Sequence, residues 1–157
     1  MMTYTFENLK VGLSSLCHKY PFAKCGSIGS SVMGKELLSI RLGTGPGKVI
    51  CVGAHHSLEW LTSVLLMCFA DSYCSAYQSK MPLSGIDVED LFARCSIYII
   101  PMLNPDGIEL VAGRLLPENP YYQEALQMNG GNPDFGSVWQ ANIHGVDLNH
   151  NYDAAWY

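Results

Sequence analysis

Apolar residues at Phe6, Leu9, Leu13, Leu16 and Tyr20 recur every three or four positions, the spacing that turns one face of an α-helix toward a core. Thr5 stands where an N-cap belongs and Pro21 closes the run, so the pattern predicts an opening amphipathic helix. Two short segments follow, a glycine- and serine-rich one over 25–33 and a mostly apolar one over 36–42. Gly34 and Lys35 between them are a turn signal, and together they predict a β-hairpin. The β-branched run 48–52 has no polar alternation, as in a strand buried inside a sheet. Over 59–77 the apolar positions Leu61, Val64, Leu65, Cys68 and Phe69 return to helical spacing. A short helix over 87–94 and a second apolar strand over 95–100 complete the readable part.

Beyond Asn104 the periodicity fades until Val138, with Asn119, Pro120, Asn129, Gly130 and Pro133 scattered through the stretch. That composition predicts long irregular loops, which in compact domains usually carry function. The alternation of strands and helices predicts an α/β domain: a mixed, mostly parallel central sheet with helices on both faces. Chemistry in such sheets gathers at the C-terminal strand ends. The strand 48–52 delivers Gly53-Ala54-His55-His56 to such an end.

Composition narrows the partners. The 157 residues carry a formal charge of −5 and no Lys/Arg run, which leaves no electrostatic footprint for nucleic acid or an anionic membrane. No apolar stretch is long enough to span a bilayer, and the start MMTYTFENLK lacks the pattern of a signal peptide, so a cytoplasmic location is expected. The six cysteines (Cys17, Cys25, Cys51, Cys68, Cys74, Cys95) show no metal-type pairing, and all six are expected to be reduced and structural.

His56-Ser-Leu-Glu59 sets an imidazole and a carboxylate three residues apart where a strand passes into a helix. Both are good zinc donors, although this spacing also occurs in capped helix starts and surface ion pairs. Its setting is more specific. The stretch Gly53-Ala-His-His-Ser-Leu-Glu-Trp60 resembles the H-x-x-E-W element of the zinc carboxypeptidases. Pro101-Met-Leu-Asn-Pro-Asp-Gly107 resembles that family's N-P-D-G turn, and Gly145-Val-Asp-Leu-Asn-His-Asn151 its G-V-D-x-N-R-N element.

This resemblance implies a zinc-dependent peptidase acting on peptides, with residues 1–157 as the N-terminal part of a single domain truncated on its C-terminal side. It implies His56 and Glu59 as zinc ligands, Asp147 as the carboxylate that orients the ligand histidine, and Asn149 with His150 at the substrate's terminal carboxylate. His150 stands where the family has an arginine, Gln140 where bacterial relatives carry Lys or Arg near the scissile carbonyl, and Leu58 where Arg is common. The pattern is most similar to the bacterial branch that cleaves γ-D-glutamyl-diaminopimelate bonds in cell-wall peptides. The family's third ligand, a histidine, and its general-base glutamate are expected beyond Tyr157. A sheet ending here would expose an apolar edge, favouring self-association. The alternative reading is a non-catalytic module that binds a peptide or cell-wall fragment.

Overall fold

The computed structural model describes residues 3–154. Thr5 caps α1 (Phe6–Lys19): its hydroxyl accepts from the Asn8 backbone N–H while the Asn8 side chain accepts from the Thr5 backbone N–H, a reciprocal box that satisfies two donors at the helix start. Leu9, Leu13 and Leu16 form the buried face. The hairpin follows as β1 (Lys24–Ser30) and β2 (Glu36–Leu42), paired antiparallel, with Gly34 at φ 79° in the turn. β3 (Gly47–Val52), α2 (Trp60–Ser79), α3 (Val88–Arg94) and β4 (Cys95–Ile100) then appear where the pattern predicts them.

The strand order is β1-β2-β4-β3. Among the described residues parallel pairing is confined to β3 with β4; β2 pairs antiparallel with both β1 and β4, so the sheet is mixed. Leu38, Ile40 and Leu42 of β2 alternate toward the same face as Ile97 and Ile99 of β4. There they join Leu9, Leu13 and Leu16 of α1 and Tyr73 and Cys74 of α2 in one core cluster. The opposite face carries Arg41 over the Tyr98 ring and Ile50, which is 66% exposed. β3 lies at the sheet edge with Val49 and Ile50 both exposed, so its apolar run is not buried inside the sheet as its pattern suggests.

Two further expectations are corrected. Cys17 and Cys25 form a disulfide, with Cα atoms 6.4 Å apart, so not all six cysteines are reduced. The bond spans the turn at Pro21, where the end of α1 and the start of β1 come back within reach of each other. The expected loop after Asn104 is largely helical: α4 (Pro105–Val111), α5 (Pro120–Met128) and α6 (Phe135–Val138). Asn104 and Asn119 accept from backbone N–H groups as N-caps, each followed by proline in the first turn, so these Asn-Pro pairs start helices instead of ending them. Their apolar residues form a second cluster of Leu110, Ala125, Phe135, Trp139 and Ile143. Tyr122 packs edge-on against Phe135, which gives that tyrosine a structural role.

Candidate metal and peptide site

The corner that carries the site begins where β3 ends. At Gly53 a Cβ would come within 2.6 Å of the Pro101 carbonyl, so only glycine lets β3 and the chain after β4 run this close. The parallel ladder continues past both strands, with Leu103 N–H donating to the Gly53 carbonyl (3.0 Å) and Asn104 N–H to that of Ala54 (3.0 Å). Ala54 turns the chain with φ 50°, a left-handed conformation that costs about 1 kcal/mol for a residue with a Cβ. Thr62 in the first turn of α2 holds the corner down. Its hydroxyl accepts from Ala54 N–H (2.7 Å) and donates to the Glu59 carbonyl (2.7 Å).

His56 projects from this corner between two carboxylates. Nδ1 lies 2.9 Å from Glu59 Oε1, and Nε2 lies 3.1 Å from Asp147 Oδ1. The hydrogen bond to Glu59 raises the His56 pKa above its ordinary value; desolvation opposes this, and Asp147 adds to it. Asp147 is held below the usual carboxylate range although desolvation pulls the other way, through hydrogen bonds from His56 and the Asn149 backbone N–H and the nearby His56 and His150 charges. His55 shifts down, first by desolvation and then by His56 beside it, while its Nε2 meets the Tyr152 hydroxyl at 2.7 Å.

Asp147 arrives on a fixed path. The Asn142 side chain accepts from both His144 N–H (2.9 Å) and Val146 N–H (3.0 Å), and Asn142 N–H donates to the Val146 carbonyl, closing a tight turn just before Asp147. Asp147 then caps a 3₁₀ turn, Leu148–His150, which exposes Asn149 and His150 on the same side chain-bearing segment. Gln140 is exposed, and its backbone carbonyl is tied to the corner by Ser57 N–H (3.0 Å). Trp156 and Tyr157 lie outside the described residues.

The N-P-D-G segment does more than turn the chain. Asp106, 2% exposed, gathers three donors from the hairpin tip: Ser31 Oγ (3.0 Å), Met33 N–H (2.9 Å) and Lys35 Nζ (3.2 Å). The tip thereby closes over the start of α4. It forms one wall of a cavity of about 380 Å³ whose lining includes Ser31, Val32, Asp106, Asn142, Leu148 and Tyr152. A buried carboxylate opposite a lysine four residues beyond a serine is a three-dimensional pairing with no sequence signature.

A family profile described as zinc carboxypeptidase matches residues 12–157. The chain belongs to the zinc carboxypeptidase family. It is 29% identical over 153 residues to γ-D-glutamyl-L-diamino acid endopeptidase 1 of Lysinibacillus sphaericus, covering 98% of this chain and 38% of that protein. It is also 29% identical over 133 residues to the human carboxypeptidase N catalytic chain, covering 80% of this chain and 25% of that one. The fold is similar to bovine thrombin-activatable fibrinolysis inhibitor, with a TM-score of 0.59 at 17% identity over 76% of this chain and 40% of that one. The corresponding values for carboxypeptidase A of Helicoverpa armigera are 0.54, 18%, 89% and 29%. The chain thus spans less than two fifths of the curated relatives it matches.

The donor chemistry of the corner suits the zinc of this family. An imidazole nitrogen and a carboxylate oxygen converge at Nδ1 of His56 and Oε1 of Glu59, and the second ring nitrogen faces a further carboxylate. Among the described residues no group of three or more His, Cys, Asp or Glu side chains is placed to hold a metal ion. Asp147 is spoken for on the far side of the His56 ring.

Proposed function

We propose that this chain is the N-terminal part of a zinc peptidase domain that hydrolyses γ-D-glutamyl-diamino acid bonds in cell-wall peptides. The observation that carries the reading is the divided use of the His56 ring, one nitrogen toward Glu59 and the other toward Asp147. That is how a zinc-ligating histidine is normally held. The likeness to an endopeptidase of γ-D-glutamyl-L-diamino acids supports the substrate class.

His56 Nδ1 and Glu59 would hold the metal, which supplies Lewis acidity toward a carbonyl and acidifies a water molecule. Asp147 keeps the His56 ring in the tautomer whose Nδ1 bears the lone pair. Asn149 and His150, at the end of the 3₁₀ turn, receive the polar end of the substrate, and Gln140 offers a neutral donor to its carbonyl. The third protein ligand and the base that accepts the water proton come from outside residues 1–157. The exposed edge of β3, adjoining the corner, is where a further strand of the domain or a second copy of this chain pairs.

A second reading, a non-catalytic peptide-binding module, is favoured by the lack of a three-ligand group among the described residues. Two experiments separate them. Zinc uptake by the purified chain should be weak and should disappear in His56→Ala and Glu59→Gln; equal uptake by all three proteins removes the metal reading. In the full gene product, release of the diamino acid from a γ-D-glutamyl peptide should exceed trimming of an ordinary peptide. Binding of the γ-D-glutamyl peptide with no turnover in the presence of zinc establishes the module instead.

A further inference from the structure

Asn104 is 2% exposed, and every polar atom of its side chain is used. Its Oδ1 accepts from Gly107 N–H at 3.0 Å, which caps α4. Its Nδ2 faces only acceptors: the His55 carbonyl at 3.2 Å, the Ala141 carbonyl at 3.0 Å and Ser57 Oγ at 3.4 Å. One donor facing and three acceptors facing fix the amide orientation without ambiguity. Ser57, itself fully buried, continues the link, its hydroxyl donating to the Ala141 carbonyl at 2.7 Å. At Gly107 a Cβ would sit 2.5 Å from Ser57 Oγ and 2.7 Å from the Asn104 amide, so the glycine of N-P-D-G leaves the room this network occupies.

The network brackets His56. The residue before it is held through the His55 carbonyl, and the residue after it through Ser57 N–H and Oγ, both to residues 140–141. From Ala141 the closed turn at Asn142 leads directly to Asp147. The backbone on either side of His56 and the backbone that carries Asp147 are thus stapled at one buried amide. We propose that Asn104 is a positioning residue that sets the separation and ring orientation of His56 against Asp147 and Glu59, a task separate from its capping of α4. The proposal rests on reading His56 and Glu59 as the zinc pair and adds to it the group that pre-organises them.

Three variants of the chain divide the two tasks. Asn104→Ser keeps a capping oxygen for Gly107 N–H but is too short to reach the His55 and Ala141 carbonyls. Ser57→Ala removes the second half of the staple and leaves the cap alone. Asn119→Ala removes the N-cap of α5, which takes no part in the staple, and serves as the matched structural control. Two quantities are read on each: zinc affinity by competition dialysis, and the ¹⁵N shifts of the His56 ring, which report its tautomer and hydrogen bonds in the metal-free protein.

Asn104→Ser and Ser57→Ala are expected to lower zinc affinity about ten-fold and to shift the His56 ring nitrogens, while Asn119→Ala moves neither. Wild-type affinity and ring shifts in Asn104→Ser and Ser57→Ala, with the fold intact by circular dichroism, overturn the proposal. If Asn104→Ser does not fold, Ser57→Ala alone decides. If wild type takes up no zinc that His56→Ala abolishes, the metal reading has failed. The ring shifts of the metal-free variants then decide separately whether Asn104 positions His56.

Discussion

The His56 ring bridges Glu59 and Asp147, with Nδ1 2.9 Å from one carboxylate and Nε2 3.1 Å from the other, although Asp147 lies 91 residues away along the chain. The two contacts differ in kind. Glu59 stands in the same corner and converges with Nδ1, while Asp147 approaches Nε2 from the far side of the ring.

Asp147→Asn should therefore leave the fold intact and weaken zinc binding by about ten-fold, because an amide can present its N–H₂ to Nε2 and so favour the wrong tautomer. Glu59→Gln should abolish measurable binding, since it replaces a charged carboxylate with a weakly donating neutral amide oxygen. Isothermal titration with zinc compares the two, and equal losses would show that Asp147 is itself a ligand.

The strand–corner–helix unit was legible because its signals are local: β-branched residues 48–52, the glycine at 53, and apolar spacing through 59–77 each act within a few residues. His56 and Glu59 stood out as a possible donor pair from their spacing, which the resemblance made specific, whereas Asp147 was reachable only through resemblance, since nothing in the spacing brings it to Nε2. The region after Asn104 was misread for a physical reason. Asn-Pro is equally a turn signal and a helix start, and which one applies depends on whether the next residues find a cluster to bury into, here Leu110, Ala125, Phe135 and Ile143. The Cys17–Cys25 bond was missed because its closeness depends on how the chain turns at Pro21.

Asp106, itself buried, holds three donors from the hairpin tip. Asp106→Ala leaves the partly exposed Lys35 ammonium and the Met33 N–H without their acceptor, and that loss is expected to cost about 3 kcal/mol. Urea denaturation measures the loss, and hydrogen exchange at the Met33 amide should accelerate in the variant. An Asp106→Ala protein within about 1 kcal/mol of wild type would show that the tip is not held from α4.

The disulfide closes a short loop between α1 and β1, with a sequence separation of 8. Loop-closure entropy for that length corresponds to about 2–3 kcal/mol. The Cys17→Ala/Cys25→Ala double variant should lose stability in that range in urea, and reductant should lower the wild type alone. Unchanged denaturation of wild type on reduction would contradict the bond.

Burial pushes the Cys74 thiol up from 9.0 to about 12, and it pushes Tyr73 from 10.0 to about 12. Both shifts favour the protonated form in the folded state. Their contribution is therefore complete below the ordinary values and is lost as pH rises through 9–12, when the unfolded chain releases protons the folded one keeps. Stability should fall by up to about 1.4 kcal/mol per pH unit for each group in that window. Cys74→Ala and Tyr73→Phe should each flatten the decline. The phenylalanine variant should also be no less stable at neutral pH, since the buried Tyr73 hydroxyl has no hydrogen-bond partner among the described residues.

His150 closes the 3₁₀ turn beside Asp147, at the position where the family's motif carries an arginine. Arginine presents a rigid, permanently charged fork that matches a carboxylate on two hydrogen bonds, whereas histidine offers at most two donors in divergent directions. An enzyme that grips a free C-terminal carboxylate loses affinity by this exchange, and one whose substrate ends in a diamino acid loses less. In the full gene product, His150→Arg is expected to raise kcat/KM for an ordinary C-terminal peptide relative to a γ-D-glutamyl-diamino acid peptide by about ten-fold, or roughly 1.4 kcal/mol of transition-state preference. Histidine at this position then acts as a selector against ordinary peptides, because restoring the fork strengthens the substrate it was built to hold. A ratio that stays constant on substitution would mean that His150 does not meet the substrate's end, and the preference would have to be sought in the cavity walled by the hairpin tip.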